Sequence, residues 1–419
     1  MSKVPFWYKF TWFLGRAPAL TRHQWKLLGL MAAVSFFEQY DVYLFALNLK
    51  QIQAELQIPE EDLGLLGAIV RAGAILAIGL AIAADRVGRR IMLLTTILGY
   101  TLFTGATAFS PNTETFIVFQ FLARGFATAE VWIAAVVIAE EFAPEHRGWG
   151  IGALGALQAT GAGFAALMFG FVDYLPYGWR FLYLVGLVPL LLIAYWRREL
   201  PETHRYQQIK HIREPIMKPI AELFTKAPRR TIGLFLTVFG FVLAAGSATF
   251  FAPKYLQDVH HWTPGEVATL NILGGMLAII GNPLAGWLSD RFGRKPVTII
   301  FAVIFSLCSM VFFASSGVFV PLLWIGLIFF VMGGDVMTTS YGTELFPTRY
   351  RSTASGFRGL VSAFASVVGL AAVSGLFVYT GSNWVSLSIL AAVSLIAPVV
   401  VWLMLPETAR KPLEEIAPN

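Results

Sequence analysis

The chain is poor in charge and almost without cysteine. Asp, Glu, Lys and Arg make up 13% of its 419 residues, about half the share in ordinary soluble proteins. Its single cysteine, Cys308, excludes an intrachain disulfide framework. The residues before position 26 hold no apolar core and no small-residue cleavage site, so a cleaved signal peptide is not expected. No N-x-[ST] sequon occurs, which argues against a glycosylated surface protein. A metal-ligand cluster, a nucleotide-binding loop and a nucleophile constellation are equally lacking. No cofactor, metal site or catalytic residue is therefore expected, and the chain does not read as an enzyme.

Hydrophobic residues are abundant, at 57%. One soluble core could not hide that much apolar surface, whereas a bilayer can. Apolar runs long enough to cross it, about 20 residues each, cover 26–48, 63–84, 91–110, 114–139, 149–173, 179–197, 231–252, 266–288, 296–316, 319–343, 354–379 and 384–404. Their length and continuity predict helices rather than barrel strands. The expected fold is thus all-α and integral to the membrane, with twelve transmembrane helices.

Lys and Arg placement sets the orientation. With the N-terminus inside, only Lys50, Arg180 and Lys254 fall outside and Arg71, Arg124 and Arg358 lie within helices; the rest of the 31 are cytoplasmic. Both termini are therefore expected in the cytoplasm. The formal net charge of +6 belongs to loops facing anionic lipid and implies no nucleic-acid partner. Residues 1–25 alternate basic and aromatic side chains, as an amphipathic segment on the cytoplasmic membrane surface would.

The chain repeats itself. "DRVGRR" starts at Asp85 and "DRFGRK" at Asp290, 205 residues later. "LPETHRY" and "LPETARK" follow the sixth and twelfth runs at the same separation, and "EEFAPEHRG" and "TELFPTRYRS" align Glu141 with Glu344 at 203. The predicted domains are accordingly a six-helix half at 26–197, a linker at 198–230, a second half at 231–405 and a tail at 406–419. Gly88 and Gly293 permit tight turns between spans. Arg86, Arg89, Arg90, Arg147, Arg291, Arg294, Lys295 and Arg351 are expected to face carboxylates or phosphates at the inner surface, with Glu141, Glu202, Glu344 and Glu407 as candidate partners and Asp85 and Asp290 opening the two loop motifs. Such pairs are expected to join the halves when the protein is closed inside and to part when it opens.

Two like-oriented six-helix halves with these loops resemble the major facilitator superfamily, across nearly the whole chain. "GWLSDRFGRK" fits the superfamily's loop motif in full, whereas "AIAADRVGRR" has Ala81 where the first glycine belongs. The "LPET" and "TELFPTRYRS" pieces resemble the sugar-porter and organic-ion branch, which includes metabolite and aromatic-acid proton symporters. The resemblance implies a secondary transporter in the cell membrane, a monomer, with substrate bound between the halves and access alternating.

Seven ionisable residues lie within the spans: Glu38, Asp41, Arg71, Arg124, Glu130, Asp335 and Arg358. Insertion of each costs roughly 2.5–3.5 kcal/mol at a helix centre, so they are expected to face a wet cavity or one another. Glu38 and Asp41 share a helix face. From the span ends they lie about 15 Å and about 10 Å below the outer surface, and Arg71 about 12 Å. Arg71 is therefore expected to compensate one acid and leave the other to load a proton. Glu130 lies about 240° around the helix from Arg124 and is not its simple partner. Arg358, near the inner end of its span, has Asp335 or the adjoining loop as its expected partner. Glycine-rich patches in the fifth and eighth spans read as close helix packing, with Gln158, Asn271 and Asn282 as polar exceptions.

"EQYD" resembles the paired helix 1 acids of aromatic-acid proton symporters, and Arg124 the superfamily's intramembrane arginine. Gln158 sits where sugar porters place a substrate-binding glutamine, but the seventh span lacks the sugar-porter pattern. The expected partners are thus a small organic solute, an anion before a sugar, and protons. Glu38, Asp41, Arg71, Arg124, Glu130, Gln158, Asn271 and Asp335 are the expected coupling and substrate residues. Rivals are a proton-driven exporter of amphiphilic or cationic compounds, a sugar symporter, and a transport-derived sensor.

Overall fold

The computed structural model describes residues 4–198, 202, 217–347, 351–411 and 413–416. Among these there are helices and turns and no strands. The crossing helices are α1 (Arg22–Leu47), α2 (Leu63–Ala72 continued by Ala74–Val87), α3 (Arg89–Thr107), α4 (Thr113–Glu141), α5 (Pro144–Phe169) and α6 (Trp179–Val185 continued by Leu187–Arg197). The second set is α7 (Pro228–Asp258), α8 (Pro264–Phe292), α9 (Arg294–Phe312), α10 (Val320–Glu344), α11 (Arg351–Thr380) and α12 (Asn383–Val393 continued by Ile396–Met404). Eleven are long and apolar enough to cross a membrane. The exception is α3, whose polar residues include Arg89, Arg90, Thr95, Thr96, Tyr100, Thr101, Thr104 and Thr107. Several of those side chains serve buried acids.

Local signals start and stop the helices. Thr21 caps α1 in a reciprocal capping box with Gln24, and Thr263 does the same for α8 with Glu266. Gly88 (φ 120°) and Gly293 (φ 106°) turn α2 into α3 and α8 into α9 in a backbone region that disfavours any other residue. The helix α7 runs past its expected end at 252, and Lys254, expected in an outer loop, is buried within it. Two carboxylates make this tolerable: Lys254 Nζ lies 2.9 Å from Glu60 and also bonds Asp258.

The chain divides into two compact units: Met1–Leu56 with Gly73–Arg213, and Gln57–Ala72 with Glu214–Asn419. The first packs Leu28, Met31 and Val34 of α1 against Ile97 and Tyr100 of α3, Ile138 of α4 and Leu190 of α6. The second packs Leu234 and Val238 of α7 against Tyr341 of α10 and Val401 of α12. Outward faces stay apolar, with Leu102, Phe364 and Trp402 exposed, because lipid rather than water is their solvent.

Residues 6–14 form two short 3-10 turns on the first unit. Trp7 and Tyr8 pack edge-on against Trp25 at 5.7 and 5.1 Å, and Trp149 donates to the Leu14 carbonyl at 3.3 Å. Phe6 and Phe10 point outward and are exposed. Of the expected linker, residues 199–201 and 203–216 lie outside the described residues; an amphipathic helix at Met217–Lys226 is described.

Candidate functional site

The first unit gathers its intramembrane charges into two buried clusters. Glu38 and Asp41 sit one turn apart on α1 and are 7% and 8% exposed. Arg124 of α4 donates Nη1 to Glu38 at 3.1 Å, and Gln158 of α5 donates Nε2 to its other oxygen at 2.9 Å. Asp41 Oδ2 accepts from the Tyr100 hydroxyl at 2.5 Å and from Thr104 at 3.1 Å, both on α3. The two acids are thus held differently. Glu38 has a guanidinium; the described hydrogen bonds to Asp41 come from neutral hydroxyls.

The second cluster is drier. Glu130 and Arg197 are 0% and 1% exposed and form an ion pair. Thr96 donates to Glu130 at 2.5 Å, and Arg197 also donates to the Leu30 carbonyl at 3.0 Å. Thr96, Tyr100 and Thr104 are four residues apart, hence on one face of α3. A single helix face therefore serves both clusters.

In this arrangement the cation on Glu38 is Arg124, where depth alone had suggested Arg71 as the compensating charge. Depth was estimated from span ends, which carries no information about where a side chain points around its helix. Arg71 belongs to the second unit, where it donates to the Ser366 hydroxyl and lies 5.5 Å from the centre of the Phe250 ring. In that unit Arg358 donates to Asp335 at 3.0 Å, one of the two partners named from sequence. Asp335 is exposed, whereas Glu130 in the first unit is fully buried. Asn271 donates to the Val267 carbonyl of its own helix at 2.8 Å. The side-chain amide oxygen of Asn282 is buried and makes no hydrogen bond among the described residues.

The loop motifs are built alike in the two units. Glu202 accepts from the backbone amides of Arg89 at 3.0 Å and Arg90 at 3.2 Å; Glu407 accepts from those of Arg294 at 2.8 Å and Lys295 at 3.0 Å. Each glutamate thereby satisfies amides at a helix start that has no side-chain cap of its own. Arg89 bonds Glu140 at 3.2 Å, one residue before the expected Glu141, whose carboxylate lies 3.7 Å from His23. Arg294 bonds Glu344 at 2.9 Å and Asp290 at 2.7 Å. Arg147 and Arg351 each donate to the carbonyl five residues earlier, Phe142 at 3.1 Å and Phe346 at 3.2 Å. Arg90 donates to the Arg198 carbonyl at 2.7 Å, and Arg291 lies 5.3 Å from the Trp287 ring. Arg86 is exposed, and the side chain of Asp85 lies outside the described residues.

Sequence reasoning missed Arg197, Thr96, Tyr100, Thr104 and Glu140. Arg197 ends a span and was counted among the topology charges. The α3 hydroxyls did leave a signal, a four-residue spacing in an otherwise oily helix.

Three comparisons bear on this geometry. The family model for the Major Facilitator Superfamily matches residues 31–369 and, in a second alignment, 259–418. The cis,cis-muconate transport protein of Acinetobacter baylyi (strain ATCC 33305 / BD413 / ADP1) is 26% identical over 93% of this chain and 96% of its own. The niacin transporter NiaP of the same strain is 26% identical over 94% and 97%. A crystal structure of a D-xylose-proton symporter superposes with a TM-score of 0.75 at 18% identity, covering 92% of this chain and 99% of that one.

Proposed function

Because the chain belongs to the Major Facilitator Superfamily, a family of multi-pass membrane transporters and not of enzymes, we propose that it moves a small organic anion together with protons. Transport of small organic solutes follows from the family and the relatives. The anion and the proton are our reading. One observation carries it: Asp41 is held by hydroxyls alone, one helical turn from a Glu38 already matched to Arg124. With one cation against two carboxylates, the cluster sheds its surplus negative charge when Asp41 takes a proton. The relatives support the anion, since niacin and cis,cis-muconate are both organic acids.

In this reading Asp41 carries the proton, and Arg124 is the cation that a substrate carboxylate meets, with Gln158 steadying Glu38 beside it. Glu130 is assigned to holding α4, α6 and α1 together through Arg197 rather than to coupling. The protein works in the cell membrane with both termini in the cytoplasm.

Proteoliposomes test this with nicotinate, cis,cis-muconate and D-xylose as substrates. The wild type is expected to accumulate an organic acid when the outside is made acidic. Asp41→Asn should lose that accumulation yet keep exchange of labelled for unlabelled substrate, because exchange needs no net proton movement. Glu38→Gln leaves Arg124 buried without its carboxylate and should weaken folding or binding instead. Normal pH-driven accumulation by both variants would reduce the acids to packing. Accumulation of D-xylose alone would overturn the anion, and net efflux under the same gradient would reverse the direction.

A further inference from the structure

A cavity of about 810 Å³ opens at the end of the second unit where the chain enters α7, outside the charge clusters described above. The amphipathic helix Met217–Lys226 forms one wall; the starts of α7 and α9 and the ends of α10 and α12 complete it. Its volume falls within the roughly 300–1,000 Å³ typical of ligand sites. Four cations line it, Lys226, Arg229, Arg230 and Lys295, against one carboxylate, Glu222. The guanidinium of Arg229 donates to the Leu403 carbonyl at 2.6 Å and that of Arg230 to the Ile416 carbonyl. Neither carbonyl neutralises a positive charge. The remaining wall is apolar, with Leu223, Phe346, Leu403, Met404 and Leu405.

We propose that this cavity binds the headgroup of an anionic phospholipid, its phosphate on the Lys226, Arg229, Arg230 and Lys295 side and the start of its acyl chains along Phe346, Leu403 and Met404. Two features select that chemistry. Arginine and lysine together favour a phosphate oxyanion through charge-assisted hydrogen bonds. A free phosphate would leave the apolar wall wet, whereas a lipid covers it. The place is right as well, because basic pockets between transmembrane helices at the interface suit such headgroups. Binding there would tie Met217–Lys226 to α7, α10 and α12, and so make the fold of this unit depend on lipid composition.

The test uses the purified full-length protein in detergent, titrated with phosphatidylglycerol, phosphatidylcholine or inorganic phosphate while thermal unfolding is followed. Phosphatidylglycerol should raise the unfolding temperature well above the effect of phosphatidylcholine, and the difference should shrink as salt is raised. Each cation near an anionic lipid contributes about fivefold in affinity, so Lys226→Gln with Arg229→Gln should weaken the phosphatidylglycerol response roughly thirtyfold. Lys411→Gln, an exposed cation that does not line the cavity, should respond as the wild type does. Equal responses to the two lipids would overturn the proposal, as would full retention in the double variant or an equal loss in Lys411→Gln. Stabilisation by inorganic phosphate to the same extent would identify a free-anion site and overturn the lipid. Should the double variant fail to fold, native mass spectrometry of the wild type decides. Retained phosphatidylglycerol that high salt strips supports the site, and equal retention of both lipids refutes it.

Discussion

A carboxylate with no water around it needs a cation, a set of donors or a proton, and the first unit uses more than one of these answers. Glu130 takes the first in its strictest form, fully buried against Arg197. Removing one member of such a pair strands the other, at a cost of about 3–5 kcal/mol. Arg197→Met and Glu130→Gln should each lower the unfolding temperature in detergent sharply. Glu130→Met combined with Arg197→Met should recover most of the loss, since apolar replacement of a whole buried pair is often neutral. An Arg197→Met variant as stable as wild type would dismiss the pair as a fastening. The identities of the buried acids were legible from sequence because charge stands out against an oily run. Their partners were not, because a one-dimensional reading gives depth but no azimuth. Depth pointed to Arg71, and only the fold brings Arg124 to Glu38.

At the scale of elements, the same close crossing occurs once in each unit. A Cβ on Gly161 of α5 would lie 2.0 Å from the Phe36 carbonyl oxygen of α1, and one on Gly369 of α11 would lie 2.1 Å from that of Leu243 in α7. Both obstacles are backbone, so nothing can rotate away. Gly161→Ala and Gly369→Ala should each cost about 1–3 kcal/mol by forcing helices apart. Gly163→Ala, where a Cβ meets nothing within 4 Å, should be within about 1 kcal/mol of neutral. Equal unfolding temperatures for all three would refute the crossings. The glycine-rich run of the fifth span announced close packing in the sequence, whereas Gly369 lies outside both runs singled out there. Which glycine makes the contact depends on helix phase, and the neighbouring Gly163 shows how little spacing alone decides.

For the whole molecule, the twelve spans and the internal repeat were readable because hydropathy and repetition are properties of the linear chain. The span that deviates, α3, does so for the buried acids it serves. Orientation remains a prediction from the Lys and Arg count. A fluorescent protein fused to the C-terminus should glow from the cytoplasm, and alkaline phosphatase fused there should be silent; an active phosphatase would invert the topology.

The two capping glutamates also impose an order on biosynthesis. Helix α3 starts at Arg89, yet the carboxylate that satisfies its first amides is Glu202, 113 residues downstream. At about 5–20 residues per second the ribosome needs roughly ten seconds to deliver it. Until then no Glu202 carboxylate is there to accept from those amides. Glu407 repeats the delay for Arg294 across another 113 residues. Each half is therefore closed by nearly the last piece of itself to be made.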